Sequence, residues 1–396
     1  MPHLTRNLKA QPLIRKNAKR SCQTPHQNRK KTMKISKAYK YKVCYICNTM
    51  ADALNAMNRE MNREMNREID LYILKHIDAI DADIDEAAFA TEDVKKRALE
   101  IQEYRKELKV LLQLPLMKQR TEEWYEARKT RLTASDLSDA IKGGNGSIKL
   151  AKKKANIIVD TINYNAIPAL KWGTMFEPMA TRCYSQKMNN IEIHDFGLVC
   201  DTENEHFGAS PDGINELGIM LEIKCPYSRK IVDGVIPEKY KMQIQGQLAV
   251  CKLKECDYIE CVFKSLESVD EYLALDGDGD GDEKHGIIAE YYNPKGEYVY
   301  YYSEPNQTPK ECVDEICNHS NGDDERSERI RSEKLKFSKY TYWRLDEMII
   351  QRVVFNADMW KTIVPKINTF WESVEEYKLL PIELGIKKYT FVDDDE

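Results

Sequence analysis

An acid at Asp212, a second acid at Glu222 and a cation at Lys224 stand within the stretch GASPDGINELGIMLEIKCP, residues 208–226. Residues two apart on a strand face the same side, about 6.5–7 Å from one another. Glu222 and Lys224 therefore point together, while Leu221, Ile223 and Cys225 point into a core. A hairpin through DGINELG would return Asp212 to the side of Glu222. Two adjacent carboxylates raise each other's pKa unless a cation lies between them. Their hard oxygens suit Mg²⁺ or Mn²⁺. Such an ion polarises a phosphoryl oxygen and acidifies a water. The ammonium of Lys224 can hold that water and stabilise charge on a pentacoordinate phosphate. An isolated Glu-x-Lys is ordinarily an exposed surface ion pair. The acid ten residues upstream, directly after Pro211, makes the pattern specific.

The elements that must position these groups lie in residues 116–265, where aromatics, glycines and alternating apolar runs set in. IEIHDFGLVCD (191–201), GIMLEIKCP (218–226) and DYIECVF (257–263) read as strands. WGTMFEPMATRCYSQKM (172–188) and EKYKMQIQGQLAVC (238–251) read as helices, the first either beginning near Thr174 or kinking at Pro178. This alternation predicts a central mixed sheet flanked by helices, an α/β (α+β) core, with helical N- and C-terminal extensions.

At this point the chain resembles a known family. Pro211-Asp212…Glu222-Ile223-Lys224 is a PD-(D/E)xK nuclease signature. QRTEEWYEARKTRLTAS (119–135), WGTMFEPMA (172–180), SPDG (210–213), EIKCP (222–226) and YKMQIQGQLAV (240–250) follow the order seen in YqaJ-type viral recombinases, which are similar to phage lambda exonuclease. The resemblance implies a restriction-endonuclease-like core and a metal-dependent DNA exonuclease resecting duplex ends 5′→3′ for recombination or repair. A structure- or sequence-specific endonuclease and a non-catalytic nucleic-acid-binding protein are the alternatives. It further implies that Asp212, Glu222, the Ile223 carbonyl and Glu177 (in G-x-x-x-E) hold Mg²⁺ or Mn²⁺, as two ions. Lys224 would be the catalytic lysine and Gln243 (in Y-x-x-Q-x-Q) the glutamine supporting the site. Arg128 and Ser135 would grip the DNA 5′-phosphate. The implied partners are double-stranded DNA ends, a single-strand-annealing recombinase and further copies of the chain in a ring-shaped trimer. The implied setting is intracellular: host cytoplasm or nucleus, or a viral replication compartment.

Length and composition bound the rest. The chain has 396 residues, enough for a sizeable core. No apolar run approaches the roughly 18 residues of a membrane span, and the basic N-terminus lacks the apolar segment of a secretory signal. Eleven cysteines scattered through expected core elements suggest a reducing compartment. Residues 1–51 carry 13 Lys or Arg and no acid, leaving 47 basic against 65 acidic residues in the remainder. They read as a basic arm for nucleic acid or targeting, or as a solvated tail. Residues 52–115 form a helical, low-complexity extension in which MNRE repeats three times over 57–68. By the same resemblance, residues 116–265 would be the nuclease core. In 266–396, a hairpin (289–302), a polar insertion (305–335) and amphipathic helices (338–380) complete the domain. Cys44-x2-Cys47 with Cys22 and His26 is a weak zinc pattern, and Cys251, Cys256 and Cys261 read as core thiols. The absence of a phosphate loop gives no support to an ATP-driven motor.

Overall fold

The computed structural model describes residue 57 and residues 60–77, 91–115, 117–158, 167–277, 284–318 and 324–380. The basic arm and its Cys and His residues lie outside them. The chain divides at Arg59, and the fold is that of the described residues from 60 to 380.

A seven-stranded sheet runs in the order β2-β5-β6-β7-β10-β8-β9. Its strands are β2 (Ile193–His194), β5 (Gly213–Asn215), β6 (Met220–Lys224), β7 (Glu255–Leu266), β8 (His285–Tyr292), β9 (Tyr298–Tyr302) and β10 (Lys336–Val354). Among the described residues of this sheet only β6 and β7 pair in parallel, Glu222 opposite Tyr258 and Lys224 opposite Glu260. The connection between them is the helix Glu238–Cys251 (α6), as a parallel crossover requires. A smaller sheet, β1-β4-β3, joins Leu132–Thr133, Phe207–Ala209 and Val199–Cys200. This is the expected arrangement of a central mixed sheet flanked by helices.

Alternation along β6 splits the core in two. Leu221, Ile223 and Cys225 join a buried cluster with Phe176, Met179 and Tyr184 of the helix Pro168–Lys187 (α5) and with Ala98 and Ile101 of the helix Glu92–Leu111 (α1). Met220 faces the other way, into a cluster with Ile244 and Leu248 of α6 and with Trp371 of the last described helix, α10 (Ala357–Lys378). Each such side chain contributes about 1.5–3 kcal/mol on burial, so a one-residue slip of β6 is strongly disfavoured. Helix α5 starts earlier than expected, at Pro168, and runs through Pro178. The Thr181 hydroxyl donates to the Glu177 carbonyl beside that proline, at 3.0 Å.

Two expectations are corrected. Residues 336–354 form a strand, not an amphipathic helix. The run KFSKYTYWRLDEMIIQRVV is rich in aromatic and β-branched residues, and it is hydrogen-bonded on both edges, to β7 and to β8. Helix begins only at Ala357, capped by the Asn356 side chain on the Met359 N–H (2.9 Å). The polar stretch 305–335 contains two helices, Pro309–Ile316 and Glu325–Ser332. Cys312 and Ile316 bury the first in a cluster with Tyr272 and Tyr291, and Ile330 of the second packs against that cluster. The methionine repeat is helical over 60–74, with Met61 and Met65 left in solvent.

A buried charge network ties the N-terminal helices to the sheet. Arg352 on β10 contacts Asp257 (2.6 Å), Glu255 (2.5 Å) and Asp70 (3.1 Å). Arg97 on α1 contacts Asp70 and Glu255, each at 2.8 Å. From Asp257 the network continues through the Tyr184 hydroxyl (2.7 Å) to Asn215 (3.1 Å). Asn215 in turn accepts from the Leu217 and Ile219 N–H groups and shapes the β5–β6 turn. Gly218 in that turn has φ +77°, and a Cβ there would meet the Tyr104 backbone at 2.7 Å. Helix α1 thus presses directly on the hairpin that carries the candidate chemistry.

Candidate active site

The β5–β6 pairing sets Gly213 opposite Leu221, which brings Asp212 across from Glu222. Asp212 Oδ2 accepts the Ile223 N–H at 2.7 Å. Glu222 is fully buried, and its Oε1 lies 2.5 Å from Lys224 Nζ. That burial excludes an ordinary surface ion pair. Lys224 Nζ also lies 5.0 Å from the centre of the Tyr240 ring. Burial raises the Asp212 pKa well above the usual carboxylate range, and Glu222 and then Glu177 push it further. Burial would lower the Lys224 pKa, but Glu222 and Asp212 outweigh it, so the ammonium stays charged.

Glu177 lines the same cleft as Ile223, Lys224 and Tyr240, a space of about 290 Å³. Its carboxylate is held by Arg120 at 2.9 Å. Sequence reasoning did not single out Arg120. Gln243 is half-buried on α6, and its side chain forms no hydrogen bond among the described residues. The amide that reaches the carboxylates is Gln247, one turn on, donating to Glu222 Oε2 at 2.7 Å. Gln245 instead clamps the end of β10, with contacts to Val354 O (3.0 Å) and the Asn356 N–H (2.7 Å). The i,i+4 spacing of Gln243 and Gln247 was the available signal. Gly246 fixes the choice. A Cβ there would meet Leu137, Phe207 and Ala134 at 3.1–3.2 Å, so α6 packs close on that side. Replacing Gln247 by Ala is expected to orphan Glu222 Oε2 and cost about 1–3 kcal/mol of stability, read by denaturant unfolding. Replacement by Glu should cost more, because two acids would then meet in a buried site.

The residues present fit a hard divalent cation. Every donor is oxygen: the Asp212 and Glu222 carboxylates, the Ile223 carbonyl and, nearby, Glu177. Burial, and then the Glu222 charge, destabilise the charged form of Asp212. Buried Glu222 Oε1 is met by the Lys224 ammonium, at 2.5 Å. No group of three or more His, Cys, Asp or Glu side chains forms a metal cage among the described residues. Such a sparse set suits Mg²⁺, which keeps several waters and takes one or two carboxylates.

A second cluster adjoins. The helix Glu122–Lys129 (α2) is capped by Thr121 and presents Arg128, whose guanidinium lies 4.2 Å from the Trp124 ring centre. Arg128 Nη2 donates to Ser135 Oγ (3.2 Å) and Thr133 Oγ1 (3.3 Å). Lys154 joins them, 2.9 Å from the Arg128 carbonyl and 3.3 Å from Asp136. Burial lowers the pKa of Arg128 and of Lys154, partly offset by Asp136. Both cations therefore gain from an anion. The sequence named Arg128 and Ser135 but not Lys154, which is 26 residues away and only folding brings in. Trp124 couples the two clusters, because its indole N–H donates to Ser210 Oγ at 3.1 Å, two residues before Asp212. Cys251, Cys256 and Cys261 are buried, as expected of core thiols.

Residues 123–254 match the family model of the YqaJ-like viral recombinase domain. The matched segment lies within residues 116–265, the stretch that carries the motifs. An uncharacterized protein of Acanthamoeba polyphaga mimivirus is 25% identical over 323 residues, covering 68% of this chain and 55% of its own length. A protein of African swine fever virus is 28% identical over 179 residues, covering 37% of this chain and 50% of its own. The chain spans about half the length of the curated relatives it matches. Among solved structures, an alkaline exonuclease of Laribacter hongkongensis is similar at 18% identity and a TM-score of 0.39, over 65% of this chain and 93% of that one. A phage-related exonuclease of Haemophilus somnus is similar at 13% and 0.30, over 63% and 93%. No helix among the described residues is long and apolar enough to cross a membrane.

Proposed function

We propose that the YqaJ-like domain is the core of a metal-dependent DNA exonuclease that resects duplex ends 5′→3′. The observation that carries this reading is the meeting of Asp212, buried Glu222 and charged Lys224 at one strand edge. The Arg128–Ser135–Lys154 cluster is coupled to that edge through Trp124. Asp212, Glu222 and the Ile223 carbonyl, with Glu177 beside them, would hold Mg²⁺ or Mn²⁺. When bound, the ion would polarise the scissile phosphate and acidify a water. Lys224 donates its N–H groups toward the attacking water and the phosphate oxygens, where charge gathers. Gln247 fixes the plane of the Glu222 carboxylate. Arg128 forks onto the terminal 5′-phosphate and Ser135 adds a hydroxyl donor.

The alternatives fit less well. An endonuclease needs no pocket for a terminal phosphate. A non-catalytic DNA binder gains nothing from a buried acid pair facing an ammonium. The partners that follow are double-stranded DNA ends and, for the 3′-ended strand left behind, a single-strand-annealing protein.

The test compares end-labelled linear duplex with closed circular DNA in Mg²⁺. Linear duplex with 5′-phosphate should be degraded faster than duplex with 5′-hydroxyl ends. A charge-assisted contact of roughly 1.5–3 kcal/mol corresponds to a preference on the order of 10- to 100-fold. Arg128→Ala should erase most of it. Efficient cutting of circles, with indifference to the 5′ group, would replace the exonuclease by an endonuclease on the same core.

A further inference from the structure

A second groove opens beside the catalytic cleft and shares Tyr227 with it. It encloses about 500 Å³, and its lining includes Lys171, Trp172, Lys264 and Lys339. The floor is aromatic. Trp172 meets Tyr227 edge to face at 5.5 Å and Phe176 at 4.4 Å, and Tyr227 is 57% exposed. The Trp172 indole N–H has no hydrogen-bond partner among the described residues. The walls are basic. Lys264 on β7 and Lys339 on β10 stand exposed. Lys171, in the first turn of α5, lies 2.7 Å from Glu290 and 3.7 Å from the Tyr298 ring centre. Glu290, the acid in this lining, is 1% exposed and is countered by Lys171 and by the Ser338 hydroxyl (2.7 Å). The rest of the chain beyond the N-terminal arm is acid-rich, so this is a local concentration of positive charge.

We infer that this groove binds an unpaired DNA strand. Its phosphates lie on Lys264 and Lys339, and one base stacks on Tyr227 at the threshold of the cleft. The inference rests on the nuclease reading and adds a subsite to it. Bases within a duplex stack on one another and leave no face for a protein ring, whereas an unpaired strand offers one at every nucleotide. Basic walls over an aromatic floor therefore select single strand over double. Continuity through Tyr227 places this strand next to the nucleotide being cut.

The experiment is equilibrium binding of fluorescein-labelled dT12 to the whole chain in EDTA, where no cleavage occurs, across a salt series. Lys264→Ala combined with Lys339→Ala should weaken binding and flatten the log–log salt slope by about 1.4, at roughly 0.7 per lost phosphate contact. Lys310→Ala combined with Lys366→Ala removes the same charge from exposed sites elsewhere and should leave the slope unchanged. Tyr227→Ala should weaken dT12 binding on the order of tenfold, and Tyr227→Trp should keep it. An unchanged slope in the groove variant overturns the inference. So does an equal loss for a 12-base-pair duplex, and so does failure of the unsubstituted protein to bind dT12. Cleavage of linear duplex in Mg²⁺ by the unsubstituted protein is read separately. If it persists while the groove variants bind dT12 normally, the groove fails and the nuclease stands.

Discussion

Lys224→Met should lower the rate of duplex cleavage on the order of 10²- to 10³-fold, the usual loss when one preorganised donor to a developing charge is removed. Methionine keeps the stem of the side chain and removes only the ammonium. Glu222 retains its hydrogen bond from Gln247, so the hairpin should keep its place. Near-ultraviolet circular dichroism and binding of a 5′-phosphorylated duplex in EDTA should change little. The residual activity should also move in pH. Lys224 counteracts the upward push on Asp212. Without it the Asp212 carboxyl holds its proton to still higher pH, and the anionic form needed for a divalent cation appears later. The rising limb of the pH–rate profile should therefore shift to higher pH. A rate near that of the unsubstituted protein at saturating Mg²⁺ would sink the mechanism.

The largest stability effect should come from Arg352→Leu, a loss of about 3–5 kcal/mol. That is the cost of stranding buried acids whose partner is gone. Arg352 answers three carboxylates at once, from Asp70, Glu255 and Asp257. Asp70 and Asp257 are 0% and 2% exposed. Arg97 compensates only in part, because it does not reach Asp257. The pH dependence follows from Glu255. Burial alone would raise its pKa, but the hydrogen bond from Arg97 and the charge of Arg352 bring it down to about 2 from 4.5. A depressed folded-state pKa means stability that is present above the unfolded value and lost as pH falls. Glu255 should thus contribute about 3 kcal/mol at neutral pH, at roughly 1.4 kcal/mol for each tenfold change in proton affinity. That contribution should fade between about pH 4.5 and pH 2. Glu255→Gln should be less stable than the unsubstituted protein at pH 7, with the gap closing through that window. Denaturant midpoints at pH 7, 5 and 3.5 decide it, and a gap that stays constant with pH would contradict the assignment.

The sequence by itself determined what is local. Strand alternation in MLEIK dictates that Glu222 and Lys224 share a face, and a short glycine-containing turn dictates that Asp212 returns beside them. Few residues separate these groups, so their meeting depends on backbone geometry and little else. The helix Glu238–Cys251 and the hairpin of β8 and β9 were legible for the same reason. Tertiary structure decided what depends on the angle or distance between elements. The alternation of Lys336–Val354 became a strand because β7 and β8 leave a vacant edge on each side of it, and no local signal records a neighbour's edge. Gln247, not Gln243, meets Glu222 because close packing at Gly246 sets the rotation of α6 over the sheet. Helical spacing alone allows either residue. Lys154 joins Arg128, and Arg352 joins Asp70, across separations at which charge pattern carries no register. Burial in the folded core selects those pairs, since a charge removed from water must find its opposite wherever the packing brings one.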